Sequence, residues 1–146
     1  MDRGLAVVLT AAVGGLIGLQ APVNSLLGHR TGTITAAAVA FTIGTVALIA
    51  IALLSEGLGG VTAARSVPWY YLIGGLLGAA YVTCVLVTVR TLVAGGVTAA
   101  TIAGQLTMSL VVDQLGILGV QERPITLGRA AGVALLAAGT FLVVRE

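Results

Sequence analysis

Apolar positions in this chain come as runs of about twenty residues separated by short polar or glycine-rich punctuation. A run of that length is what an α-helix needs to cross about 30 Å of hydrocarbon while satisfying its own backbone hydrogen bonds. Five such helices are expected, over residues 5–27, 35–54, 68–89, 97–119 and 125–144. Gly28, His29 and Arg30 close the first, and Ser55, Glu56 and Gly57 close the second, before a glycine-rich loop to Ser66. Pro68 suits the first turn of the third, where its missing N–H is harmless. Trp69, Tyr70 and Tyr71 behind it form an interfacial aromatic anchor. Arg90 can snorkel to the opposite surface, Gly95-Gly96 breaks the chain before the fourth helix, and Glu122, Arg123 and Pro124 form the last loop.

Composition turns this pattern into a class. With 8% charged and 58% apolar residues over 146 positions, the chain cannot cover itself with a polar surface. It reads as an all-α integral membrane protein with a single transmembrane domain over residues 1–146 and lipid as its solvent. The first run could instead be a cleaved signal, but such signals have a net positive start and a short apolar core. Here Asp2 and Arg3 cancel and the run continues toward Leu27.

Charge bears on orientation. An odd number of spans places the termini on opposite sides. Arg3, Arg65, Arg123 and Arg129 then fall on the side of the N-terminus, and Arg30, Arg90 and Arg145 on the other, 4 against 3. Orientation is set mainly by excess Lys/Arg in short loops, so a near-tie permits both insertions; the bland alternative is that the small bias is chance and the insertion machinery selects one. Two oppositely inserted copies would make a ten-helix inverted-repeat antiparallel dimer, the plan of many secondary transporters, in which exchanging the protomers' conformations turns an inward-facing site outward. A scattered net charge of +2 without a basic block gives nucleic-acid binding no support.

The polar residues inside the spans are few. Thr101, Gln105, Ser109 and Asp113 follow one another at four-residue spacing, so they share one face of the fourth helix. Lipid cannot accept that face, and a carboxylate at this depth is by default a functional candidate. Asp113 could exchange a proton or a cationic solute; equally, Arg123, Arg129 or Arg65 could neutralise it, since it lies about 9 Å from the expected helix end. Gln105 and Ser109 could contact a ligand or join helices by hydrogen bonds.

Gln20, Pro22 and Asn24 mark a second polar place, where Pro22 frees the carbonyl of Gly18. Broken helices with polar neighbours line transporter sites, although a proline kink can also be resatisfied locally. Counted along the helices, Gln20 and Gln105 lie about 10 Å and 12 Å inside the same face. An inverted partner would bring its Asp113 to about that depth, so a site shared across the dimer is expected, with Gln20, Asn24 and Gln105 of one copy facing Asp113 of the other.

Tyr81, near the midplane, could stack on a cationic ligand or bond a neighbouring helix; it shares a face with Cys84 and Thr88. The pairs Gly14 and Gly18, Gly74 and Gly78, and Gly128 and Gly132 let helices approach closely. His29, the sole histidine, suits interfacial solvation. No catalytic constellation, metal-ligand spacing or phosphate loop is present in the sequence, so neither an enzyme nor a cofactor is expected.

Several stretches together resemble the YdcZ-type five-helix family of the drug/metabolite transporter (DMT) superfamily. They are Gln20-Ala21-Pro22-Val23-Asn24, Pro68-Trp69 followed by Gly74-Gly75 and Gly78-Ala79, and Gly104-Gln105-Leu106 with Ser109, Asp113, Gly116, Gly119, Pro124, Arg129 and Gly132. The resemblance implies a bacterial inner-membrane protein that moves small polar or cationic metabolites or drugs by secondary transport, as a homodimer of oppositely inserted copies or with a paired homologue. The chain departs from the pattern at Gln114, where histidine is expected, and lacks a proline near Arg90 and a first-helix glutamate like that of the small multidrug resistance relatives. The expectation is therefore an efflux-type transporter, possible proton coupling resting on Asp113; the competing class is a non-transporting membrane scaffold or accessory subunit.

Overall fold

The computed structural model describes residues 2–55, 59–60 and 66–145. Among these the secondary structure is helical throughout: α1 (Arg3–Thr31), α2 (Thr33–Ser55), a short 3-10 turn (Trp69–Leu72), α3 (Ile73–Leu115) and α4 (Leu127–Arg145). Four helical stretches are long and apolar enough to cross a membrane: Arg3–Thr31, Thr33–Ser55, Trp69–Leu115 and Leu127–Arg145. The expected Glu56–Gly57 stop and Arg65 lie outside the described residues, as does part of the glycine-rich loop.

The third of these stretches joins what the sequence suggested were two helices, and it is not straight. Val93 takes φ 51° and ψ 174°, outside helical space. A β-branched side chain rarely enters that region, and holding it there costs about 1–3 kcal/mol. The break therefore falls at Val93, and not at Gly95-Gly96 as expected. Those glycines lie inside the helix that follows, where a side chain would meet α4: Val144 Cγ2 stands 3.4 Å from a Cβ built on Gly96, and Val143 Cγ1 stands 3.9 Å from one on Gly95. Their smallness serves close packing rather than chain reversal.

The chain forms two compact units, Met1–Gly18 with Thr91–Glu146, and Leu19–Arg90. In the second, α1 and α2 join through Gly32, whose φ of 87° only glycine adopts freely. Gly32 N donates to Gly28 O at 2.9 Å and Ala36 N to Gly32 O at 2.9 Å, so the two helices are separated by a single residue. The expected stop at Gly28 is thus displaced by one turn, because Gly28 is buried against Ala36 and Thr33 and its missing side chain admits them. Arg90 reaches the same turn and donates to Thr33 Oγ1 at 3.4 Å. The core of this unit is Ala36, Ala37, Val82 and Leu86, with Leu27 and Tyr81 packed on it. Pro68 caps the 3-10 turn, and Trp69, Tyr70 and Tyr71 stand exposed behind it in edge-to-face contacts, with centroids 6.2 and 4.9 Å apart.

Candidate functional site

In the unit containing residues 91–146, α3 ends four residues earlier than position 119. Gly116 takes φ 59° and Gly119 φ 77°, left-handed conformations that stop a helix, with Leu118 also at φ 60°. A Cβ on Gly116 would lie 3.1 Å from Glu122 Cβ and 3.4 Å from Glu122 Cα, so the returning chain occupies the space of a side chain. Polar groups then fasten the two helix ends. Arg123 N donates to Asp113 O at 2.8 Å, and Ile125 N donates to Gln114 Oε1 at 2.7 Å. Gln114, at the place where the family pattern expects histidine, thus serves the last turn of α3 as an acceptor. Thr126 caps α4, its hydroxyl accepting from Arg129 N at 3.3 Å.

Arg129 closes this turn. Its Nη2 forms a salt bridge with Asp113 Oδ2, and its Nη1 donates to Arg123 O at 3.4 Å. The sequence left three arginines open as counter-ions; Arg129 is the one at hand, because the Thr126 cap starts α4 so that Arg129 lies in its first turn. Asp113 is two residues from Leu115, about 3 Å from the helix end rather than 9 Å. That position near a helix end separates it from the mid-helix amides: Gln105 is about 15 Å from the same end, and Gln20 about 16 Å from the end of α1 at Thr31.

The other candidates fall into distinct environments. Gln20, Gln105 and Ser109 are exposed and Thr101 is half-buried. None of their side chains has a hydrogen bond among the described residues. Asn24 is the buried polar residue among the described residues, 9% exposed, and its amide likewise has no hydrogen-bond partner among them, so its tip reaches the molecular surface. It lies on the buried face of α1 with Ala21 and Gly28. Pro22 sits within an uninterrupted α1, where it denies Gly18 O its donor without ending the helix. The division between the two compact units passes immediately after Gly18. Tyr81 is half-buried against the Ala36, Ala37, Val82 and Leu86 core, whereas Cys84 is exposed and Thr88 donates to Cys84 O at 3.0 Å.

Among the described residues, Gly78 alone of the six paired glycines has a neighbouring element close by, Phe41 Cζ at 3.4 Å from a built Cβ. Gly14, Gly18, Gly74 and Gly132 have nothing within 4 Å, and Gly128 meets only Thr126 Oγ1, at 4.0 Å. Sequence reasoning overlooked two further glycines that pack, Gly28 and Gly96; their signal is a small residue within one turn of an arginine or a helix break, too common in this chain to single them out. No group of His, Cys, Asp and Glu among the described residues could hold a metal ion.

No curated protein and no solved structure matches the chain. Residues 5–142 match a family described as "Putative inner membrane exporter, YdcZ". With exposed mid-helix amides, an acid–base pair near a helix end and long apolar helices in one chain, and nearly the whole chain matched, this multi-pass cell-membrane protein belongs to the YdcZ family of the DMT superfamily.

Proposed function

We propose that the chain is a secondary transporter exporting a small polar or cationic solute, with five crossings per copy and a pair of oppositely inserted copies as the working unit. The five crossings rest on length. The 47-residue stretch Trp69–Leu115 would extend about 70 Å as one helix, more than twice the hydrocarbon thickness. Divided at Val93, its α3 portion gives two limbs of about 20 residues, each matched to one crossing.

The observation that carries the reading is the exposure of Gln20 and Gln105 at mid-span. An amide left unpaired in hydrocarbon costs several kcal/mol, so these groups call for a covering partner or a watered cavity. A second copy supplies both, with its dyad in the membrane plane and the polar groups gathered near mid-depth. The open glycine faces of α1 and α4 leave room for its helices. On this reading the candidates for solute contact are Gln20, Asn24 and Tyr81 in one unit and Gln105, Ser109 and Thr101 in the other. Asp113 is already neutralised by Arg129, and for it to exchange a proton or cation Arg129 would first have to let go.

A thermal-shift screen of metabolites and organic cations on detergent-purified dimer, at two pH values, tests this. A solute that raises the unfolding temperature of the wild type, and fails to do so for Gln105→Leu, is the expected result. A chain that no solute stabilises, and whose Gln105→Leu variant is simply more stable, would be a scaffold with a closed polar stripe.

A further inference from the structure

The described arginines do not stand alike. Arg3, Arg30, Arg123 and Arg145 have no carboxylate partner among the described residues, and Arg90 has only the Thr33 hydroxyl. Arg129 alone forms a salt bridge, with Asp113, and the two side chains are 30% and 26% exposed. Both belong to one hairpin, 16 residues apart, whose turn is held by its own bonds: Arg123 N to Asp113 O, Ile125 N to Gln114 Oε1, and the Thr126 cap. The pair needs no other part of the chain in order to form.

Acidic residues ordinarily contribute little to orientation, which follows Lys/Arg in short loops. A mobile carboxylate in water leaves the arginine's charge in place. A carboxylate locked to the guanidinium by its own hairpin is different, since the turn then presents a neutral unit to either side of the membrane. We propose that Asp113 masks Arg129 from the topology-setting balance. What remains is Arg3, Arg65 and Arg123 against Arg30, Arg90 and Arg145, three on each face. Asp113 is then a residue that keeps the two insertions equal, a role separate from solute binding.

This inference rests on the dual-orientation reading above, and the test separates the two. Full-length chains carry alkaline phosphatase, active only outside, or green fluorescent protein, fluorescent only inside, at the carboxyl end. Asp113→Asn unmasks Arg129, draws the N-terminal face inward and sends the carboxyl end out, raising the phosphatase-to-fluorescence ratio about twofold or more. Arg129→Gln, although it removes an arginine, leaves the ratio at the wild-type value, and so does the exchange Asp113→Arg with Arg129→Asp, which keeps the pair. A ratio that moves with Arg129→Gln and stays fixed with Asp113→Asn overturns the inference, because every arginine then counts singly. A wild-type chain reporting one orientation only overturns the dual-orientation reading, and this inference with it.

Discussion

The turn around Gly32 and the turn after Leu115 both reverse the chain between long apolar helices, by different means. At Gly32 one left-handed glycine turns the chain, and the helices are held mainly by buried apolar groups, with Ala36 fully buried and Leu86 1% exposed, beside the one bond from Arg90 to Thr33 Oγ1. After Leu115 the chain needs two glycines, an amide acceptor, a threonine cap and an ion pair. The difference teaches what holds helices in lipid. Apolar surface gains nothing by leaving one hydrocarbon for another, so close backbone approach and internal hydrogen bonds provide the specificity. The first turn relies mainly on the former, and the second adds the latter to a close approach at Gly116.

Substitutions that spoil one device and leave the other sharpen the contrast. The largest effect is expected at Gly116, where leucine meets both a left-handed backbone and Glu122 at 3.1 Å; Gly116→Leu should cost about 3–4 kcal/mol in reversible unfolding in mixed micelles. Ala36→Leu overfills the packed turn and should cost about 2–3 kcal/mol by the same measurement. Asp113→Asn leaves Arg129 without its partner, a loss of about 1–3 kcal/mol given that the pair is partly exposed; most of it should return in the Asp113→Arg, Arg129→Asp exchange. Thr126→Ala removes one cap bond and should cost about 1 kcal/mol. If Asp113→Asn cost as much as Gly116→Leu, the polar turn would depend on charge rather than on its glycine, and the contrast would need redrawing.

The helices themselves were largely legible, because length in an apolar run is a direct consequence of bilayer thickness. Their ends were less so. Glycine stops a helix at Gly32 and Gly116 and packs inside one at Gly28 and Gly96, and the residue type is the same in both uses. Val93 carries no breaking signal at all; its backbone is set by the helices on either side. The counter-ion of Asp113 was legible as one of three arginines, and choosing Arg129 required knowing where Thr126 starts α4. Gln20 and Gln105 were legible as polar residues well inside long apolar runs, but their distances from the helix ends were not, because those ends are set at Thr31 and Leu115 by turn geometry that composition does not display.

The central claim is that one sequence enters the membrane both ways. His29 stands exposed beside the α1–α2 turn, so a His29→Cys variant in a Cys84→Ser background can be probed in intact cells with a membrane-impermeant maleimide, before and after permeabilisation. The account predicts that about half of the protein is modified from outside and the remainder only once the cells are opened. Modification wholly from one side would contradict it.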